Sequence, residues 1–164
     1  MKKNILVTGG AGYIGSKVTF DLCDKGHNVF IVDNLTTGFR KLVDKRAKFY
    51  NLDILETFKL NEIIKKNKID TIFHFAASLS VEESMKSPLK YYINNVEGTR
   101  SLINAAKKNV KYFIFSSTCA IYNPKNIKEV NENSEINPLS HYGKTKHLSE
   151  LMIQNANTGF KYII

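Results

Sequence analysis

Short apolar runs alternate along the chain with longer segments in which apolar residues return every three or four positions. The short runs lie at residues 4–8, 28–32, 47–51, 71–75, 112–116 and 161–164, and the longer segments at residues 13–25, 56–67, 88–109 and 142–157. The first pattern is typical of buried strands and the second of helices with one apolar face. Their alternation predicts an α/β fold, a parallel sheet with right-handed crossovers and helices on both faces.

Glycines occupy the junction between the first predicted strand and the first helix, in the order Gly10-x-Gly12-x-x-Gly15. In a dinucleotide-binding turn, the first glycine permits positive φ, the second lets the backbone approach a diphosphate, and the third packs the helix against the strand. The free N–H groups of the helix's first turn then bind the anion. A glycine turn with a purely structural role has the same spacing, so the interpretation depends on its context.

Two acidic residues end later strands at positions that suit a dinucleotide. Asp33 follows the glycines by about twenty residues, where a carboxylate accepts hydrogen bonds from both ribose hydroxyls and repels a 2′-phosphate, which favours NAD over NADP. The alternative is that Asp33 only begins a turn. Asp53, followed by Ile54, could reach an adenine amino group or cap the next helix.

Composition and charge narrow the class of protein. The 164 residues, 43% of them hydrophobic, are enough for one domain with one core. The net charge of +9 comes from lysines scattered over helical segments, which is typical of solvated surfaces and predicts no nucleic-acid binding.

Cysteines and apolar segments indicate the compartment. Cys23 and Cys119 are too few for a disulfide framework or a metal site, and we expect both to be buried in a reducing environment. The apolar run behind Met1-Lys2-Lys3 is too short for a signal peptide, and no apolar stretch approaches a membrane span. The sequence therefore predicts a cytoplasmic protein with no membrane contact and no metal.

Small and polar residues follow the later strands. Ala76 and Ala77 leave room either for a ligand or for packing, and His74, inside an apolar run, is expected to be a core histidine. Of Asn94 and Asn95, early in the helix that begins at Pro88, one faces a cleft or both lie on the surface.

The segment Tyr142-Gly-Lys-Thr-Lys146 carries the candidate chemistry. Residues at i and i+4 share a helix face, so the phenol and the ammonium of Lys146 can enter one cleft, while Lys144 points elsewhere. An ordinary phenol has a pKa near 10, and a positive charge at about 4 Å supplies roughly 4 kcal/mol toward the phenolate. An ordinary surface pair is the alternative. The hydroxyls of Ser117 and Thr118 follow the fifth strand and either bind a ligand or stabilise their own turn.

In combination these segments resemble the extended short-chain dehydrogenase/reductases, and among them the UDP-glucose 4-epimerases. The resemblance covers the whole chain and rests on the following motifs: Thr8-Gly-Gly-Ala-Gly-Tyr-Ile-Gly15, Val32-Asp-Asn-Leu35, Asp53-Ile54, His74-Phe-Ala-Ala77, Pro88-Leu-Lys-Tyr-Tyr-Ile-Asn-Asn-Val96, Phe115-Ser-Ser-Thr118 and Tyr142-Gly-Lys-Thr-Lys146. It implies a Rossmann-type doubly wound sheet over residues 1–164, with NAD as cofactor and a UDP-sugar as substrate.

The resemblance also implies roles for individual residues. Tyr142 is the expected base at the sugar 4-hydroxyl, Lys146 holds the nicotinamide ribose and favours the phenolate, and Thr118 hydrogen-bonds the same sugar oxygen. Hydride passes from C4 to NAD and returns to the other face of a transient 4-keto sugar. The expected cofactor-binding residues are Gly9, Gly12, Tyr13, Ile14, Gly15, Asp33, Asn34, Asp53, Ile54, Phe75, Ala76, Ala77, Asn94, Ser116, Tyr142 and Lys146.

Departures from the family pattern limit these expectations. Asn123 stands where the family usually has glycine. The chain stops at a sixth predicted strand, so we expect a fragment that lacks the C-terminal substrate domain and is weakly active or inactive alone. A homodimer through the helices at residues 91–108 and 140–157 is the family expectation. Two alternatives are a nucleotide-sugar 4,6-dehydratase, disfavoured because Cys119 and Ala120 replace its acidic pair, and a non-catalytic NAD-binding sensor.

Overall fold

The computed structural model describes residues 1–107, 109–122 and 129–164. Its six strands are β1 (Asn4–Thr8), β2 (Asn28–Asp33), β3 (Lys48–Asn51), β4 (Thr71–His74), β5 (Tyr112–Phe115) and β6 (Lys161–Ile163). They form one parallel sheet in the order β3-β2-β1-β4-β5-β6. The strand order reverses between β1 and β4, and this position is where doubly wound sheets bind ligands.

Helices connect the strands. They are α1 (Tyr13–Asp24), α2 (Thr57–Lys66), α3 (Val81–Lys86), α4 (Pro88–Tyr91), α5 (Gly98–Ala106) and α6 (His141–Asn155), with 3₁₀ turns at Arg40–Leu42 and Cys119–Ile121. A π-helix at Tyr92–Glu97 joins α4 to α5. The predicted long helix from residue 88 is therefore continuous, but it contains a π segment and ends at Ala106 rather than at residue 109, and α3 was not predicted.

Apolar side chains alternate between the two faces of the sheet. Leu6 and Ile72 pack on the face covered by α2, α5 and α6, which contribute Leu60, Leu102 and Ile153. All five are almost fully buried, and each buried side chain of this size contributes about 1.5–3 kcal/mol relative to an exposed one.

The opposite face of the sheet packs on α1. Ile5, Val7 and Val29 form its buried centre, and Leu22 and Cys23 of α1 cover it. Helices therefore lie on both faces, and the predicted Rossmann-type doubly wound fold is confirmed.

Two further predictions have structural outcomes. Cys23 is partly buried but Cys119 is exposed, so the expectation that both are core residues is wrong for Cys119, which lies on a 3₁₀ turn at the end of β5. Within the described part of the chain, no helix combines the length and the apolar character that crossing a bilayer requires. Asn123 and Lys108 lie outside the described residues.

Candidate functional site

A cavity of about 570 Å³ lies at the carboxyl ends of the strands. Gly9 follows β1, Asp33 ends β2, Phe75 follows β4 and Ser116 follows β5, and all four line it. Because the carboxyl ends of parallel strands lie at the same edge of the sheet, residues that follow different strands meet there although they are distant in sequence.

The glycine turn forms one wall of the cavity. Gly9, not Gly10, has the positive φ, +73°, and an added Cβ would lie 2.6 Å from the Ala76 nitrogen. The assignment of positive φ to Gly10 is therefore wrong. A Cβ on Gly15 would lie 2.2 Å from the Gly9 oxygen, which confirms close packing of α1 against the turn. A Cβ on Gly12 would meet only that same oxygen, at 3.2 Å.

Asp33 is 8% exposed and is held by the backbone around it. Its Oδ2 accepts a hydrogen bond from the Ala11 nitrogen at 3.0 Å, and its Oδ1 accepts one from the Leu35 nitrogen at 2.8 Å. A carboxylate offers about four acceptor positions, so both oxygens keep capacity for a ligand. Asp33 thus begins a turn and lines the cavity, and its two interpretations are compatible.

Asp53 and Asn34 close the same end of the cavity. The Asn34 side-chain amide donates to Asp53 Oδ2 at 2.9 Å, and the Leu55 nitrogen donates to Asp53 Oδ1 at 2.9 Å. The N-cap residue of α2 is Glu56, so the alternative in which Asp53 caps that helix is wrong. Asp53 and Ile54 both line the cavity.

His74 ends β4, one residue before the cavity residue Phe75, and is 1% exposed. Its Nδ1 is 2.7 Å from Thr8 Oγ1 and its Nε2 is 2.9 Å from Thr99 Oγ1. Thr99 donates its own proton to the Asn95 oxygen, so Nε2 carries the imidazole proton and Nδ1 accepts from Thr8. Burial, with the Lys146 charge as a smaller cause, lowers the His74 pKa to about 3. His74 is therefore a neutral core histidine, as expected.

The two adjacent asparagines of the π-helix lie in different environments. Asn94 lines the cavity, whereas Asn95 is buried and its amide donates to the Ser78 oxygen and to Thr145 Oγ1, both at 3.1 Å. The alternative of an exposed surface pair is wrong. Asn95 links the loop after β4 to α6.

The start of α6 presents Tyr142 and Lys146 to the cavity. Ser140 caps the helix by accepting from the Gly143 nitrogen at 3.0 Å. A Cβ on Gly143 would lie 2.3 Å from the Ala120 oxygen, so glycine lets the helix approach the end of β5. Lys144 is exposed, which confirms the predicted division of the helix into two faces.

Lys146 is almost enclosed, at 4% exposed, and its Nζ lies 4.1 Å from the centre of the Phe115 ring. Burial lowers the Lys146 pKa to about 8, against the opposing attraction of Glu150. Near neutral pH the site therefore holds a positive charge that is poorly solvated and available to a ligand.

The three hydroxyls after β5 differ in position. Ser116 and Ser117 line the cavity, and Ser117 Oγ is buried with no hydrogen-bond partner among the described residues. Thr118 does not line the cavity, and its Oγ1 accepts from the Ala120 nitrogen at 3.2 Å at the start of a 3₁₀ turn.

Every residue predicted to bind a cofactor lines this cavity. Sequence reasoning missed several other lining residues: Thr36, Thr37, Gly38, Ser78, Leu79, Lys90 and Ile93. Lys90 could have been found, because it precedes Asn94 by four residues on one helical segment. Leu79 and Ile93 are exposed apolar residues with no chemical signal of their own.

Comparisons with known proteins identify the family of the chain. Residues 5–164 match the NAD dependent epimerase/dehydratase family. The chain is 46% identical over 161 residues to the UDP-glucose 4-epimerase of Lactobacillus helveticus, covering 96% of this chain and 49% of that protein. The chain spans about half the length of the curated relatives it matches.

The chain is also similar to solved structures of epimerases, again over about half of their length. The UDP-glucose 4-epimerase from Brucella ovis in complex with NAD has a TM-score of 0.93 at 39% identity, covering 98% of this chain and 50% of that chain. The UDP-Glc/GlcNAc 4-epimerase from Campylobacter jejuni has a TM-score of 0.92 at 37% identity, covering 98% and 51%.

Proposed function

This chain belongs to the NAD dependent epimerase/dehydratase family, and on that premise we propose that residues 1–164 form the NAD-binding domain of a UDP-hexose 4-epimerase. The reaction is interconversion of UDP-glucose and UDP-galactose. The observation that carries the proposal is that Tyr142 and Lys146 line the same cavity as the glycine turn. A base and a cation thereby share one compartment with a dinucleotide site.

The cavity residues fit NAD. Gly12 lines the cavity without a side chain, and an added Cβ there would meet only the Gly9 oxygen; the first turn of α1 offers N–H donors to a diphosphate. Asp33 would accept the adenosine ribose hydroxyls, Asp53 would meet the adenine end, and Lys146 would hold the nicotinamide ribose. Phe75, Ala76, Ala77, Asn94 and Ser116 would form the remaining contacts.

The chain's own residues would handle the proton. Tyr142 removes the proton of the sugar 4-hydroxyl and returns it at the end of the reaction, while the ammonium of Lys146 favours the phenolate. NAD, when bound, would accept a hydride from C4 of the sugar and return it to the transient 4-keto sugar, so no net oxidation results. Thr118 accepts one hydrogen bond from Ala120, which leaves its own proton to donate to the sugar oxygen.

The dehydratase alternative requires an acid and a base for elimination. Cys119 and Ala120 stand at the positions of the dehydratase's acidic pair, and neither residue carries a carboxyl group. These facts favour epimerisation over elimination.

The Tyr142→Phe variant tests the proposal in the protein's full reading frame, assayed on UDP-galactose. We expect kcat to fall roughly 10²- to 10⁴-fold, the contribution of a positioned base, with NADH affinity changed less than twofold. Tyr112→Phe is the control, because Tyr112 lies at the opposite, amino end of β5. Equal, measurable activity of Tyr142→Phe and wild type would reject Tyr142 as the base, whereas a wild-type protein that binds NADH but shows no activity would favour the NAD-binding sensor.

A further inference from the structure

The charges around the cavity leave one cation without a role. Four charged side chains from the described residues line it: Asp33, Asp53, Lys90 and Lys146. Lys146 is enclosed beside Tyr142 and Phe115. Lys90 is the remaining positive side chain of the cavity, and no step proposed above uses it.

The position and the exposure of the Lys90 side chain allow it to reach a ligand in the cavity. It lies in α4, four residues before the cavity residue Asn94, and its side chain is 52% exposed. Its Nζ is 2.5 Å from Glu83 Oε1. Such a half-exposed pair contributes about 1 kcal/mol or less, so an anion of higher charge in the cavity can replace the carboxylate.

Glu83 does not depend on Lys90 alone. Its Oε2 accepts a hydrogen bond of 2.8 Å from the hydroxyl of Tyr91, whose ring is fully buried. That bond keeps Glu83 in place when Lys90 moves away, and it lowers the carboxylate's need for a counter-charge. When Lys90 moves, only the exposed ion pair with Glu83 is broken, and the hydrogen bond from the Tyr91 hydroxyl to Glu83 remains.

The dinucleotide wall of the cavity lacks a cation of its own. The first turn of α1, Tyr13-Ile-Gly-Ser16, carries no basic side chain, so a diphosphate there meets backbone N–H groups but no formal positive charge. A diphosphate brings about two negative charges, and Lys90 and Lys146 are the two lysines that line the cavity.

We propose that Lys90 is a diphosphate-binding residue, which exchanges Glu83 for phosphate oxygens when a ligand enters the cavity. This inference rests on the proposed function. The same chemistry occurs in the dinucleotide and in the UDP part of the substrate, and the experiment separates the two sources.

The test uses the protein in the same full reading frame as the activity assay, at low ionic strength, with NADH titrated by fluorescence and UDP by calorimetry. Lys90→Gln should weaken one of these ligands roughly threefold to tenfold, between the effect of an exposed ion pair and that of a charge-assisted hydrogen bond. Lys90→Arg should retain most of the affinity. Lys86→Gln is the matched control, because Lys86 pairs with Glu82 in the same region, is 71% exposed, and does not line the cavity.

The outcomes are distinct. If Lys90→Gln loses affinity for NADH, Lys90 binds the diphosphate of the dinucleotide. If it loses affinity for UDP, Lys90 binds the diphosphate of the sugar nucleotide. If Lys90→Gln binds both ligands as wild type does, or if Lys86→Gln weakens them equally, the inference is overturned while the proposed function stands. A wild-type chain that binds neither ligand would instead reject the proposed function.

Discussion

Lys146 shows how burial sets the chemistry of a single residue. The fold places its ammonium against the Phe115 ring and away from water, which lowers its pKa to about 8 from a usual value of 10.5. The unfolded chain therefore binds more protons than the folded chain between about pH 8 and pH 10.5. By linkage, the free energy of unfolding rises with pH across that window.

We predict that Lys146→Met raises the stability of the ligand-free chain at pH 7. The pKa shift corresponds to roughly 3 kcal/mol, the cost of keeping the buried charge. The gain should be full below pH 8 and disappear as pH approaches 10.5, which urea unfolding at several pH values measures. Lys144→Met, at an exposed position on the same helix, should change stability by less than about 0.5 kcal/mol. A gain that is constant from pH 7 to 10.5 would contradict this account.

The elements around the site are held by close backbone contacts. At the glycine turn, α1 approaches β1 through Gly15, and at the end of β5, α6 approaches Ala120 through Gly143. The π-helix at Tyr92–Glu97 adds a wider turn between two α-helices, which is a feature often found at functional sites. It separates Asn94, at the cavity, from the buried Asn95.

Two substitutions in the glycine turn should have different effects, one on stability and the other on NADH binding. Gly15→Ala places a Cβ 2.2 Å from the Gly9 oxygen, and we expect a loss of about 1–3 kcal/mol of stability, as for an overpacked site. Gly12→Ala meets that oxygen at 3.2 Å, so it should fold but bind NADH at least tenfold more weakly, because its Cβ faces the ligand. Thermal unfolding and NADH fluorescence separate these effects. Equal stability loss in both variants would contradict the assignment.

At the scale of the whole molecule, α6 leaves apolar side chains uncovered. Leu148 and Leu151 are 39% and 40% exposed and lie three residues apart on one helix face, and Ile93 of the π-helix is 53% exposed. These positions lie within the two helical regions expected to pair in a homodimer. They support dimerisation as a proposal, because a paired interface would remove this surface from water.

We predict that the chain sediments at twice its 18.7 kDa mass and that the double variant Leu148→Glu/Leu151→Glu sediments as a monomer. Carboxylates buried at an interface without partners are costly, so two per protomer should abolish association at micromolar concentration. Leu42→Glu is the control, because Leu42 is equally exposed, at 40%, on a distant 3₁₀ turn. A monomeric wild-type chain would exclude the proposed dimer for residues 1–164.

The local pattern of the chain was enough for most of the fold. Strands and helices were predicted within a few residues, because each apolar run is short, each helix has one apolar face, and Gly9 to Gly15 mark the first turn. Alternation then implied the parallel sheet, and the sheet implied that residues at strand ends meet. The candidate cofactor residues, from Gly9 to Lys146, which the family resemblance named, accordingly line one cavity.

Other features depended on tertiary contacts. Asn95 is buried because its amide bonds Ser78 and Thr145, which are distant in sequence, and Asn94 is left to line the cavity. Positive φ lies on Gly9 rather than Gly10, and an added Cβ on Gly9 would lie within 3 Å of Phe75 and Ala76, the two residues after β4.

The sequence alone determined the alternation of strands and helices, which follows from periodicity, and the family resemblance, which named the candidate cofactor residues. The tertiary structure alone decided the burial of Lys146, the exposure of Cys119 and the position of Lys90 at the cavity. Burial and charge environment are sums over neighbours from separate elements, and no local stretch of sequence contains them.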